Sequence, residues 1–385
     1  SGLTRPLLKH IRWHLIQVSG KTRWIFVRLT LQDGTAGCGE ASLAGQESAV
    51  LAAAGRLDAR IRAACTAAPG DFAAAEVPST LAEAAAVSAV DQALWDLHGK
   101  RTARTVADLL GGVCRQQIDM YANINRRTEL RTPEGFAQSA RDALAAGHVA
   151  IKLAPFDEVT VARCTAGDGP AAMQAGLARI AAVRAAIGPQ RRLMVDCHWR
   201  FNETAARAMI RACTEFDLYW IECPLPEVDS QIDALVRLRK QANEQGIRLA
   251  GLEQGIRYAA FQPYCDAGAY DVMMPDVKYI GGLQEMLHAA DRFARLGIAF
   301  SPHNPTGPVC HAASLQLSAA AASFDMLETQ FDESPLFRQL IRADFGPVVD
   351  GHCGFAQGAG LGVELVEAQL GRHEARVTAS AGNSP

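Results

Sequence analysis

Arg192-Leu193-Met194-Val195-Asp196-Cys197-His198, Tyr219-Trp220-Ile221-Glu222-Cys223-Pro224 and Arg248-Leu249-Ala250-Gly251-Leu252-Glu253 share one plan, a short apolar run closing on an acid. Runs of this length without strict alternation read as strands buried on both faces of a parallel sheet. The acids are spaced by 222 − 196 = 26 and 253 − 222 = 31 residues, each about one strand-helix unit. Working outward, short apolar strands alternate with amphipathic helices from about Ile118. The candidates are Asp119–Asn123, Val149–Leu153, Arg192–Asp196, Tyr219–Glu222, Arg248–Leu252, Val272–Pro275, Ala299–His303 and Met326–Glu328. Eight strands wrapped in helices predict an α/β fold closed as a TIM-like barrel. The competing arrangement is an open doubly wound sheet. It lacks its usual mark, because no GxGxxG follows a first strand, and the Gly-rich Ala166-Gly167-Asp168-Gly169-Pro170 falls between helices.

In a barrel the strand ends converge on one pocket. Lys152, Asp196 with His198, Glu222, Glu253, Asp276, His303 and Glu328 all stand at such ends. An acid after a strand is more often a solvated loop residue or a helix cap, so the argument lies in the regular recurrence. Three carboxylates on successive strands suit Mg²⁺, a hard ion that takes oxygen ligands and keeps places for water and substrate. His303 sits in Phe300-Ser301-Pro302-His303-Asn304-Pro305-Thr306-Gly307-Pro308, where prolines and glycine fix a loop after a strand. A carboxylate such as Asp276 beside this imidazole would fix its tautomer and raise its basicity, as a general base needs. A core histidine bonded to a backbone carbonyl is the plainer alternative.

Upstream, Trp24–Leu31 is rich in β-formers, Gln32-Asp33-Gly34-Thr35 supplies a hairpin turn, and Thr80–Gly99 has helical apolar spacing with a glycine stop. The 385 residues leave room for one large barrel and a smaller α+β unit. Apolar residues make up 49% and charged residues 21%, with a net charge of −3. That balance favours neither disorder, nor a grip on nucleic acid, nor adhesion to an anionic membrane. No apolar run reaches the roughly 18 to 20 residues of a spanning helix, and no signal-type opening is read, so the cytoplasm is the expected compartment. Ten cysteines without CxxC pairing argue against a zinc ribbon or a disulfide framework, and most are expected to be reduced and buried.

The motifs together resemble the enolase superfamily in its mandelate racemase subgroup, and within it the sugar-acid dehydratases of the galactonate dehydratase type. Asp33-Gly34-Thr35-Ala36-Gly37-Cys38-Gly39-Glu40 is similar to the family's DGxxGxGE hairpin, and Ala93-Leu94-Trp95-Asp96-Leu97-His98-Gly99-Lys100 with Leu109-Leu110-Gly111-Gly112 to its ALWDxxGK…LLGG helix and turn. Val195-Asp196-Cys197-His198, Trp220-Ile221-Glu222-Cys223-Pro224, Pro275-Asp276 with Gly281-Gly282, and Pro302-His303 resemble its successive site motifs. Cys223 departs from the usual second glutamate, and Leu252 stands where glycine usually precedes the third ligand. Gln357–Gly362 lacks the common proline.

The resemblance implies a (β/α)7β barrel over 118–344 and an N-terminal capping domain over 1–117; the Gly-rich loops and short strand of the segment 345–385 suggest that it returns to the cap, and its polar tail after about His373 is expected to fray. It implies one Mg²⁺ per subunit on Asp196, Glu222 and Glu253, and His303 paired with Asp276 as base. Lys152 and Glu328 are implied as stabilisers of the enediolate, the latter touching a small-molecule carboxylate substrate. A homo-oligomer, dimer to octamer, is expected from the family. Racemases of the subgroup carry a second lysine where this chain has Ala154, so one face lacks a base. His198 stands where the dehydratase has the histidine that protonates a departing hydroxyl. The expected reaction is loss of the 3-hydroxyl from an aldonic or aldaric acid after C2-proton abstraction, giving a 2-keto-3-deoxy acid. A racemase or epimerase on the same site, and a sugar-acid-binding protein without turnover, remain the alternatives. Glu227 and Gln254 are assigned to structure or solvent. Loops at Val18-Ser19-Gly20-Lys21 and Ser42–Gln46 are expected to close the pocket.

Overall fold

The computed structural model describes residues 7–65 and 67–376. Its first strands, β1 (Leu8–Gln17), β2 (Arg23–Leu31) and β3 (Ala36–Glu40), form an antiparallel sheet. Between β2 and β3 the chain turns at the predicted place. Gly34 takes φ 87°, and the Thr35 amide donates to the Asp33 carboxylate at 2.9 Å. The sheet lies on the helix Leu81–Thr102, whose Thr80 cap accepts from the Glu83 amide. Contact is close because β3 carries glycines: a Cβ on Gly37 or Gly39 would stand 2.4 or 1.8 Å from the carbonyl oxygens of Ala93 and Ala89.

The same helix faces the barrel on its other side, which explains why it is buried nearly all round and shows no amphipathic stripe. The Ser88 hydroxyl donates to the Val277 carbonyl, and Asp91 accepts from the Leu283 amide that opens the helix Leu283–Arg295.

Eight parallel strands follow: β4 (Gln117–Asn123), β5 (Ala150–Leu153), β6 (Arg192–Asp196), β7 (Trp220–Glu222), β8 (Arg248–Gly251), β9 (Val272–Met273), β10 (Ala299–Phe300) and β11 (Leu327–Gln330). Each pairs with the next up to β10, and β11 returns to pair with β4. Across the β10–β11 seam, the Asp325 amide donates to the Phe300 carbonyl at 2.9 Å and the Ser301 hydroxyl to the Met326 carbonyl at 2.5 Å. The open-sheet alternative is thereby excluded. Tyr121, Met194, Trp220, Val272, Met274 and Met326 fill the interior, while a larger apolar shell lies between strands and helices.

After the barrel come β12 (Ile341–Ala343), β13 (His352–Gly354) and β14 (Val363–Leu365). β13 pairs antiparallel with the start of β4, and β14 pairs with β12. The segment reaches the cap helix through the Leu361 amide, which donates to Asp96 at 2.9 Å. The expected fraying after His373 does not hold for Glu374 and Ala375. Glu374 bridges to Ile16, and the Ala375 amide donates to the Leu15 carbonyl at 2.7 Å. Residues 377–385, the rest of that tail, lie outside the described residues.

A second buried carboxylate joins cap and barrel. Glu40, at the end of β3, accepts from the Thr306 hydroxyl (2.7 Å) and the Gly307 amide (2.8 Å) through Oε2, and from the Val309 and Cys310 amides (3.1 and 2.9 Å) through Oε1. It therefore caps the helix Pro308–Ala320 and pins the loop that carries His303. Replacing Glu40 with alanine orphans these buried donors, and a loss of about 3 kcal/mol in unfolding free energy is expected. Denaturant melts check this.

Candidate metal and acid-base site at the barrel mouth

The ends of β5, β6, β7 and β11 bring Lys152, Asp196, Glu222 and Glu328 inward, because residues alternate between barrel interior and helix layer. All four are buried. The Lys152 ammonium donates to Glu222 at 2.9 and 3.1 Å and pairs with Glu328 at 2.8 Å. Trp220 Nε1 donates to Glu222 at 3.2 Å. Glu328 also accepts from the Asn304 amide and the Asn123 side chain, both at 2.9 Å. Burial pushes Glu222 up to about 8, helped by Asp196. Burial would raise Glu328 too, but Lys152 holds it below the usual carboxylate range.

His198 and His303 each face a carboxylate. His198 Nε2 lies 2.9 Å from Asp196, whose other oxygen accepts from the His198 amide at 3.0 Å. Asp196 raises this imidazole to about 9. In return the ring keeps Asp196 low despite its burial. His303 Nδ1 meets Asp276 at 2.7 Å and Nε2 meets Glu253 at 2.6 Å. Burial works against charging this ring, but Glu253 and Asp276 outweigh it and raise it to about 10. Asp276 is anchored by Lys278, whose amide and ammonium both donate at 2.8 Å. Lys278 is thus part of the histidine's support.

Asp196, Glu222 and Cys223 offer ligand atoms within 4.8 Å of one another, whereas Glu253, the third ligand expected from sequence, is turned to His303. The Cys223 thiol, pushed well above its ordinary value by burial, stays protonated at neutral pH. The donors left are hard oxygens. Glu253 Oε2 is buried and has no aligned hydrogen-bond donor, its contact with His303 being ionic. This set fits a hard divalent cation: in the structure the side-chain cations Lys152, His198 and His303 balance the same acids.

Ala154 is buried beside Lys152 and carries no ionisable group. The Ser334 hydroxyl donates to the Val18 carbonyl at 3.2 Å, setting the first N-terminal loop against the segment after β11. Sequence reasoning missed three supports of the site: Glu40, Lys278 and Glu227. Glu227, assigned to structure or solvent, is structural: it accepts from Trp199 Nε1 at 2.6 Å and the Tyr270 hydroxyl at 2.7 Å, and burial pushes it up to about 7. Residue type alone could not separate these from surface charges. Gln254 is exposed, as expected.

Stability of chelator-treated protein is expected to fall with rising pH. His303 is raised, so its contribution is fully present below 6.5 and lost as pH rises through about 10. Glu222, raised from 4.5 to about 8, acts with the same sign at lower pH. Thermal melts from pH 6.5 to 10 check the trend.

Residues 135–369 match the family described as enolase C-terminal domain-like, and residues 10–111 match the N-terminal domain of the mandelate racemase / muconate lactonizing enzyme family. A D-gluconate dehydratase of Thermoproteus tenax is 30% identical over 76% of this chain, which spans 56% of that relative's length. A D-galactonate dehydratase of Xanthomonas euvesicatoria pv. vesicatoria (strain 85-10) is 26% identical over 91% of both chains. The crystal structure of a mandelate racemase/muconate lactonizing enzyme-like protein from Rubrobacter xylanophilus DSM 9941 superposes with a TM-score of 0.84 at 26% identity, covering 97% of this chain and 98% of that one. Among the described residues no helix is long and apolar enough to cross a membrane.

Proposed function

Because the chain belongs to the mandelate racemase / muconate lactonizing enzyme family of the enolase superfamily, we propose that it is a Mg²⁺-dependent dehydratase of an aldonic or aldaric acid. The observation that carries this reading is the asymmetry of the mouth. A histidine-aspartate pair stands at 2.7 Å in the loops after β9 and β10, a second histidine follows the β6 acid, and the buried alanine at 154 provides no base after β5. The dehydratase relatives at 26–30% identity support it.

Asp196, Glu222 and Glu253 would hold the ion. Bound there, a divalent cation supplies Lewis acidity that makes the C2 proton of a carboxylate substrate removable near neutral pH. Asp276 can only accept, so His303 carries its proton on Nδ1 and takes the C2 proton on Nε2. Were Glu253 to hold the cation, His303 would lose a partner that holds it near 10. Lys152 faces the charge that develops on the substrate carboxylate, and Glu328 is held beside it. His198, 40% exposed at the mouth, donates as imidazolium to the departing 3-hydroxyl. The resulting enol tautomerises to the 2-keto-3-deoxy acid.

Screening aldonic and aldaric acids with Mg²⁺ for 2-keto-3-deoxy product tests the proposal. One or more should lose water, and chelation should abolish the reaction. Exchange of the C2 hydrogen with deuterated solvent and no dehydration would favour a racemase instead. Binding without either reaction would favour a non-catalytic role. Replacing His198 with asparagine is expected to slow dehydration about a hundredfold or more while C2 exchange continues. Proton NMR in D₂O separates the two.

A further inference from the structure

Glu227 takes no part in the reaction proposed above, yet its carboxylate reaches all three strand ends that carry the acids. Oε1 accepts from Trp199 Nε1 at 2.6 Å and lies 3.7 Å from the Cys223 thiol, and Oε2 accepts from the Tyr270 hydroxyl at 2.7 Å. The Leu252 amide lies near the same carboxylate and favours its charged form. Three of these neighbours fall beside a proposed ligand: Trp199 lies just beyond Asp196, Cys223 follows Glu222, and Leu252 precedes Glu253.

Backbone geometry singles out the same points. φ is 48° at His198, 59° at Trp199, 49° at Cys223 and 68° at Leu252. Side-chain-bearing residues keep such left-handed values only where their surroundings hold them. Tyr270 adds to the hold, because its ring packs on β8 at Gly251, where a Cβ would stand 2.6 Å from it.

We propose that Glu227 is a positioning residue that ties the ends of β6, β7 and β8 into one geometry, and so sets the affinity for a divalent cation without touching it. This rests on the metal reading given above. Through Trp199 the tie also sets the backbone at His198. A Glu227 that served folding alone would, on replacement, lower thermal stability and leave the cation affinity of the folded protein unchanged.

Manganese(II) titrated into the chelator-treated full chain, with free ion read by electron paramagnetic resonance, separates the two. Glu227→Gln keeps the volume but cannot accept from every donor, and it should bind Mn²⁺ about 10- to 100-fold more weakly than the unchanged protein. Tyr270→Phe removes one hydroxyl and should bind about threefold to tenfold more weakly. A folded Glu227→Gln protein that binds within about twofold of the unchanged protein overturns the proposal. Should that variant not fold, Tyr270→Phe at unchanged affinity overturns it. If the unchanged protein binds no Mn²⁺, the metal reading falls and takes this inference with it, a result distinct from equal binding by both.

Discussion

Replacing His303 with asparagine is expected to slow the proposed dehydration by about a hundredfold to ten-thousandfold, the range for losing a positioned general base. Exchange of the C2 hydrogen with D₂O should stop with it. The reason is geometric: Asp276 fixes Nδ1 at 2.7 Å, and Lys278 in turn fixes Asp276 through two donors at 2.8 Å. The ring therefore presents Nε2 to the pocket in a set orientation. Asparagine can keep one bond to Asp276 but offers no basic nitrogen. Mn²⁺ affinity should survive in the variant, because His303 is not a proposed ligand. Exchange persisting at the unchanged rate would remove His303 from the role of base.

The barrel was legible because its strands are apolar runs that end on ionisable residues, a pattern set by burial on both faces and by one functional end. Where strands were short the boundaries drifted: Val272–Pro275 and Ala299–His303 shrink to two-residue strands, with the remainder of each serving as the loop that aims Asp276 or His303. The late strands β12, β13 and β14 were hard to place because three residues carry little periodicity, and their partners lie elsewhere in the chain. Leu252 shows the gain from combining both views. As a residue it is only a departure from the expected glycine, whereas its φ of 68° gives the physical reason why glycine is usual there.

Side-chain partnership was the less legible part. Lys278 is not legible as a partner from its position, because helices and strands set register by backbone, while a lysine reaches back two residues to Asp276. Glu253 appeared as a metal ligand only, yet its carboxylate also charges His303 at 2.6 Å. In the proposed reaction that contact would couple the two functions: whatever neutralises Glu253 also alters the proton affinity of His303, so a cation on Glu253 would ready the ring for proton abstraction.

Lys152→Met is expected to have the largest combined effect on stability and turnover. Methionine nearly fills the volume, but Glu222 and Glu328 lose the ammonium that stands 2.9 and 2.8 Å away. Breaking a buried ion pair by removing one partner costs about 3–5 kcal/mol, since the remaining charge is left uncompensated. Lowering the pH should shrink that deficit. Glu222 is already raised to about 8 by burial and Asp196 with Lys152 present, and without the ammonium it takes up a proton still more readily. Turnover should not recover in parallel, because a protonated Glu222 is a poor cation ligand and no side chain then replaces the positive charge beside the substrate carboxylate. Urea melts at pH 5 and pH 8 alongside activity at both values separate the two consequences. Equal stability deficits at the two pH values would mean that the cost lies in packing and not in charge.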